Sequence, residues 1–319
     1  MAQAKKILLS GVKPTGRPHI GNYFGAMKQF VDLQKNFDAF VFIADFHALT
    51  KPSTKQELAQ NTLDLAIDYL AIGLNPKNVV LFKQSDVPQV TELTWIFNCL
   101  TTVPYLERAH AFKDAQTKNH EVNVGLFDYP LLMASDILMY NSDIVPVGQD
   151  QKQHLEIARD TAEKFNRTFG DTFKLPEPLI LETTKIVPGI DGQKMSKSYG
   201  NTIPLFATDD EIRKAVMSIV TGSGTDTPVH VRAIHELVRD NSYLDKLYEE
   251  KKGKYKDLKE ALPLDCKACN TPLRARHEEI AKNPKKVIKM LEKNAKRARK
   301  IAENKMKEVR EKVGLSFIK

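Results

Sequence analysis

The sequence predicts an α/β protein: a doubly wound parallel sheet over residues 1–204, with a helical insertion around 88–141, followed by an all-helical domain over 205–319. Three observations predict it. Short apolar runs alternate with helical stretches of a dozen or more residues through the first 170 positions, the rhythm of a parallel sheet with crossover helices. A loop-rich span at 175–203 holds Pro176, Pro178 and Pro188, with Pro204 just past it, and marks the domain boundary. Beyond it the apolar residues keep helical spacing.

The elements follow in order. Residues 7–10 are a short apolar run that ends in the turn 11–16, so a strand is expected there. Phe24, Met27, Phe30 and Val31 repeat at helical spacing and predict a helix over 22–33. A second buried strand is expected at 40–44 and a third at 79–82. Between them Thr54 and Glu57 form a capping box that opens a helix stopped by Gly73 and Pro76. The insertion reads as helical, with Trp95 in an apolar run as core. A strand returns at 143–147, Gly148 turns, and 151–169 is a helix. Thr208 and Glu211 make another capping box. Val287, Leu291, Ala295, Ala298, Ala302, Val309 and Val313 form one apolar stripe on a long basic helix.

Composition excludes other classes. With 319 residues, 42% hydrophobic and 28% charged, the chain is neither disordered nor fibrous. No apolar run approaches the roughly 18–20 residues of a membrane helix. The apolar run near the N-terminus is too short for a signal-peptide core, and three cysteines (Cys99, Cys266, Cys269) do not make a disulfide framework. A cytoplasmic protein is expected. The net charge is +8, yet residues 281–319 alone hold 14 Lys and Arg against 4 Glu, so the rest is slightly acidic. One basic face near the C-terminus suits a polyanion such as a nucleic acid, and equally suits a solvated helix. Lys296, Arg297, Arg299 and Lys300 are its candidate contacts.

Two loops carry chemistry. The first, residues 11–22, follows a strand and opens a helix, so free backbone N–H groups and the positive dipole end face whatever sits there. Gly11, Gly16 and Gly21 let backbone come close to a ligand, and Lys13 and Arg17 add positive charge. This suits phosphate, though a purely structural strand–helix turn fits the same residues. Neither a dinucleotide fingerprint nor a P-loop is present. The second loop, 192–201, sets Lys194 and Lys197 around small hydroxyl residues. It reads as a mobile clamp for a polyphosphate leaving group, or as a solvated loop.

His19-Ile20-Gly21-Asn22 resembles the HIGH signature of class I aminoacyl-tRNA synthetases, and Lys194-Met195-Ser196-Lys197-Ser198 matches their KMSKS signature at every position. The stretches 45–50, 129–140 and 145–156 resemble the tryptophanyl members of that family. The resemblance implies a Rossmann-like catalytic domain followed by a helical tRNA anticodon-binding domain. It implies activation of L-tryptophan by ATP with Mg2+, transfer to tRNA(Trp), and a homodimer. ATP would then meet Lys13, Pro14, Thr15, His19, Gly21, Asn22, Gly148, Gln149, Asp150, Ile186, Lys194, Met195, Ser196, Lys197 and Ser198, with Lys194, Lys197 and Lys13 catalytic through charge. Tryptophan would meet Asp136, Met133, Tyr129, Gln151 and His47, with Asp136 accepting the indole N–H. Lys13 stands where the family often has Gln, and Gln149 where it often has Glu.

Rival readings are the tyrosyl enzyme, another nucleotidyltransferase of this fold, and a non-catalytic RNA-binding paralogue. The tyrosyl family usually has Gln at the position of Met133; a nucleotidyltransferase needs no basic helical domain; a paralogue has no need of both lysines. No permanent cofactor or metal site is expected: Cys266 and Cys269 are one pair, Cys99 lies far off, and His277 lacks finger spacing. His110, His120 and His154 are expected at the surface or in structural hydrogen bonds.

Overall fold

The computed structural model describes residues 5–51, 53–108, 123–148, 152–180, 187–220 and 228–317. Five strands form the sheet among them: β1 (Ile7–Val12), β2 (Asp38–Ile43), β3 (Val79–Lys83), β4 (Ile144–Val147) and β5 (Glu177–Ile180). Their order is β3-β2-β1-β4-β5 and every neighbouring pair is parallel. Parallel neighbours need crossovers, and helices supply them. β5 lies inside the span read as loop. Pro176 and Pro178 hid it, because proline cannot donate to a ladder; at a sheet edge that loss is tolerated.

Alternation along the strands builds two apolar layers. Leu9, Phe40, Phe42, Val80 and Phe82 face one side, and Leu8, Ala39, Val41, Ile43, Val79 and Leu81 face the other. Gly11 pairs in register with Phe42, whose ring lies where a side chain on Gly11 would stand.

The first loop leads into a helical run that starts earlier than residue 22: α1 (Ile20–Asn22), a π-helical turn (Tyr23–Met27) and α2 (Lys28–Leu33). The earlier start comes from His19, whose ring Nδ1 accepts from the Asn22 N–H while Asn22 Oδ1 accepts from the His19 N–H. After β2 come α3 (Asp45–Ala48) and α4 (Lys55–Ala71), the latter opened by the expected Thr54–Glu57 box. The insertion contains α5 (Gln89–Leu100), α6 (Val103–Leu106) and α7 (Val124–Met139). α8 (Lys152–Phe169) precedes β5.

One expectation fails on α5. Trp95 is 70% exposed, because Val90, Leu93, Thr94 and Phe97 make the buried stripe and Trp95 falls on the opposite face.

The C-terminal part is helical: α9 (Asp209–Met217, opened by the Thr208–Glu211 box), α10 (Val229–His235), α11 (Asn241–Glu250), α12 (Tyr255–Ala281) and α13 (Pro284–Lys312). It packs back on the sheet domain. Ala295, Ala298, Ala302, Met306 and Val309 of α13 join the first apolar layer, and Val287 and Leu291 join the second. α13 therefore runs along β3 and covers that edge of the sheet. Arg297 reaches Asp38 at 3.2 Å and lies over the Phe40 ring, and Arg299 donates to the Asp86 carbonyl. These two arginines hold the helix down. Lys289, Lys293, Lys296 and Lys300 stay exposed on its outer face.

Candidate active site

The sheet order reverses between β1 and β4, and ligands of doubly wound sheets bind outside the carboxyl ends of the strands at that point. Pro146 of β4 has no N–H to give, and the β1–β4 ladder is confined to Leu8 and Ile144. The two strands part where the crevice opens.

The phosphate-type loop leaves β1 there. Gly16 turns at φ +84°, and Pro14 is buried while Lys13 and Thr15 are exposed. Lys13 keeps solvent contact, but the surrounding cleft desolvates it and pulls its pKa down. Its Nζ lies 5.4 Å from the centroid of the Tyr129 ring, a cation–π distance. His19 is buried, and burial together with the charge of Lys197 lowers its pKa to about 4. It is neutral near pH 7, with Nδ1 the acceptor of the cap. Gly21 has no room for a side chain: a Cβ would stand 2.9 Å from His19 Nδ1 and 3.3 Å from Met195 Sδ.

The second loop closes over the first. Met195 is its buried anchor, with its N–H on the Val187 carbonyl. Asn201, also buried, accepts from the Ser196 N–H and donates to Asp191 and to the Lys194 carbonyl. These bonds leave Lys194, Lys197 and Ser198 exposed. Lys197 Nζ donates to the carbonyls of Gly16 at 2.6 Å and Thr15 at 3.0 Å. Two distant signature loops thus meet through one ammonium group. Arg17 is not turned to the same place: its guanidinium points at residues 205–211, so the charge read there as a phosphate contact serves elsewhere.

Beside this lies a second cluster. Asp136 of α7 is 2% exposed. Its Oδ2 accepts from His47 Nε2 at 2.9 Å, and both carboxylate oxygens accept from Gln84 Nε2 at 2.9 Å. Burial raises the Asp136 pKa, and the bonds from His47 and Gln84 oppose that rise. Met133 lies one turn away, half-buried against the first apolar layer. Tyr129, a further turn away, bonds through its hydroxyl to His154 Nε2 at 2.6 Å, and burial pushes its pKa up to about 12. Gln149, Asp150, Gln151 and Ile186 lie outside the described residues.

Sequence reading missed Gln84. It stands directly after β3, at the carboxyl end of a parallel strand, and that position was the available signal. Its Oε1 accepts from the N–H groups of Phe46 and His47, so it locks α3 to Asp136. Asp45 is tied in beside it, accepting from the Ser85 N–H and hydroxyl.

A parallel sheet with a glycine-rich loop at its switch point, closed by a lysine loop, is the layout of a nucleotide-binding α/β enzyme. Residues 1–263 match the family of class I tRNA synthetases (W and Y), and the chain belongs to that family. It is 48% identical to the tryptophan--tRNA ligase of Fusobacterium nucleatum, over 96% of this chain and 97% of the relative. It is 44% identical to that of Rhodopirellula baltica, over 97% and 99%. Among solved structures it is similar to the tryptophanyl-tRNA synthetase of Campylobacter jejuni complexed with ADP and tryptophan. That match has a TM-score of 0.90, 41% identity, and coverage of 97% of this chain and 99% of the other.

Proposed function

We infer that this chain activates L-tryptophan with ATP, giving tryptophanyl-adenylate and pyrophosphate, and then transfers tryptophan to tRNA(Trp). The observation that carries the site reading is the seating of Lys197 of the lysine loop on the phosphate-type loop. In the first step a tryptophan carboxylate oxygen bonds to the α-phosphorus, the bond from that phosphorus to the bridging oxygen breaks, and pyrophosphate leaves with the electron pair. In the second a hydroxyl of the terminal adenosine of tRNA attacks the acyl carbon and AMP leaves. No protein nucleophile is needed; positioning and charge do the work.

Lys13 and its loop suit the ATP phosphates, and Lys194 and Lys197 the departing pyrophosphate; the N–H groups of His19, Ile20 and Asn22, expected free from the sequence, are instead bonded to Asn22 Oδ1, the Ile203 carbonyl and His19. Pro14, Thr15, Gly21 and Asn22 line that backbone cradle, while Met195, Ser196 and Ser198 shape the lysine loop. Gly148, at the end of β4, faces the nucleoside side of the crevice in this reading. Mg2+ enters with ATP, held mainly by phosphate oxygens and water. Asp136, Met133, Tyr129 and His47 form the indole pocket.

Amino-acid-dependent ATP–pyrophosphate exchange with all twenty amino acids tests the assignment. Tryptophan alone drives exchange; exchange driven by tyrosine would move the chain to the tyrosyl side of its family.

The helical part after residue 204 is the proposed reader of tRNA, with α13 presenting its outer lysines. Neutralising Lys289, Lys293, Lys296 and Lys300 weakens tRNA binding and reduces the slope of log affinity against log salt by up to about 3. An unchanged slope would leave those lysines merely solvated. Removing residues 205–319 is a poorer test, because α13 also covers the β3 edge. The exposed Trp95 and Leu49 line one groove beside α5 and α7, and we propose that a second copy covers them in a homodimer. No described helix is long and apolar enough to cross a membrane; a cytoplasmic setting is the proposed one.

A further inference from the structure

The lysine loop leaves its site through residues 203–207, and that exit is fastened from both sides. On one side stands the phosphate-type loop. The Ile20 N–H donates to the Ile203 carbonyl at 3.0 Å, the Leu205 N–H donates to the Pro18 carbonyl at 2.9 Å, and His19 and Pro204 form an antiparallel bridge. Arg17 adds a fork. Its Nε donates to the Leu205 carbonyl at 3.3 Å, Nη2 to the Phe206 carbonyl at 3.2 Å, and Nη1 to Glu211 Oε1 at 3.0 Å. On the other side α12 holds the Phe206 N–H through Asn270 Oδ1 at 2.8 Å, and the Ala207 carbonyl through Asn270 Nδ2 and Arg274 Nη1 at 2.8 and 2.7 Å.

Phe206 needs this grip. Its φ is +57°, a left-handed conformation that costs a non-glycine residue of order 1 kcal/mol or more unless its surroundings fix it. The ring is pinned by stacking on His277 at 4.5 Å between centroids. Glu211 is both the reciprocal acceptor of the Thr208 box and the acceptor of Arg17. Those bonds, that from Arg17 first, hold its carboxyl down to about 2.

We propose that Arg17 is a positioning residue for adenylate formation: it latches the exit of the lysine loop onto the phosphate-type loop, and so fixes where Lys194 and Lys197 stand relative to the ATP phosphates. The chemistry of the side chain fits this better than a phosphate contact does. Three of its nitrogens are already directed at two backbone carbonyls and a carboxylate, all on one segment. Lys197 lies eight residues before Leu205, and a displacement of about 1 Å in a charge-stabilising group costs about 10²-fold in rate. The latch also joins the phosphate-type loop to α9, and through Phe206 and Ala207 to α12. The helical part is thereby coupled to the reacting end.

The proposal rests on the role given to the two lysines, and the test separates the two. Single-turnover adenylate formation is measured for wild type, Arg17→Ala, Arg17→Lys, Glu211→Gln, the Arg17→Ala/Glu211→Gln double variant and Lys197→Ala. Tryptophan affinity and melting temperature are measured alongside. Arg17→Ala slows the step about 10- to 100-fold, raises KM for ATP, and leaves tryptophan affinity within about twofold of wild type. Arg17→Lys keeps the charge but not the fork, and stays slow. Glu211→Gln loses part of the rate, and the double variant is no slower than Arg17→Ala, because both break one latch. Recovery by Arg17→Lys would mean that charge at the phosphates was the role, and would overturn the latch. So would multiplying effects in the double variant, or an Arg17→Ala rate within threefold of wild type while Lys197→Ala is slow. If Arg17→Ala does not fold, Glu211→Gln alone decides: a wild-type rate there overturns the proposal. A wild-type rate for Lys197→Ala removes the lysine role itself, and the latch with it.

Discussion

Lys197→Ala slows formation of tryptophanyl-adenylate by about 10²–10³-fold, the usual loss when one preorganised charge-stabilising donor is removed. Tryptophan affinity stays near wild type, because Asp136, His47 and Met133 are held by other elements. Lys197 Nζ is bonded to the Gly16 and Thr15 carbonyls of the loop proposed to hold the ATP phosphates, so the charge is fixed at that loop. Partial burial in the cleft lowers its pKa, and the buried Asp68 supports the charged form. His19 beside it is neutral near pH 7 and does not compete for the leaving group. Lys194→Ala has the smaller effect, since Lys194 is exposed and it is Lys197 that is bonded to the Gly16 and Thr15 carbonyls. Single-turnover measurement of adenylate decides, and a Lys197→Ala rate within tenfold of wild type would remove this lysine from the chemistry.

What the sequence made legible follows from short-range physics. The alternation of apolar runs with helical stretches identified a parallel sheet, and the two capping boxes at Thr54 and Thr208 are present with both reciprocal bonds. Those signals are local. The misreadings are those that depend on partners far along the chain. β5 is a strand because β4 lies beside it, although its prolines argue against one. Trp95 is exposed because the other face of α5 packs on α7 and α8, a choice that an apolar helix does not announce. Arg17 looked like a phosphate contact because its neighbours do, and only the fold brings residues 205–211 within its reach. Arg297 and Arg299, expected as nucleic-acid contacts, are exposed and also bond to Asp38 and the Asp86 carbonyl, partners that lie far along the chain. The seating of Lys197 on Gly16 joins positions nearly two hundred residues apart, a contact for which spacing carries no information. For the proposed indole site, the one-turn spacing of Met133 and Asp136 was readable from helix geometry, whereas Gln84 entered only with the end of β3.

Gln84 donates to both oxygens of the Asp136 carboxylate. The carboxylate accepts from His47 and Gln84, so it is not an idle acceptor. A carboxylate offers about four lone-pair sites. His47 and Gln84 occupy at most three of them through the three contacts described, which leaves room for one further donor. An indole has one N–H to give, and in the proposed site the half-buried Met133 one turn away would supply apolar contact for its ring. His47 and Gln84 then aim the carboxylate, and Gln84 in turn is fixed by the Phe46 and His47 N–H groups. Asp136→Ala therefore has two separable consequences. The first is structural: buried donors on His47 and Gln84 lose their acceptor, a cost of about 1–3 kcal/mol per unsatisfied group, read as a lower melting temperature. The second is specific. A pocket built on a hydrogen bond discriminates by up to roughly 10⁴–10⁵ against ligands without the matching donor, so removing the acceptor costs tryptophan most of its kcat/KM and shrinks its advantage over phenylalanine. KM for ATP moves little, because the phosphate-type loop and the lysine loop hold each other independently of Asp136. Pyrophosphate exchange with tryptophan, tyrosine and phenylalanine, on wild type and Asp136→Ala, separates the two. A lower melting temperature with an unchanged tryptophan-to-phenylalanine ratio assigns Asp136 to holding α3 and the end of β3 in place. A collapsed ratio in protein that is still folded at the assay temperature assigns it to the indole.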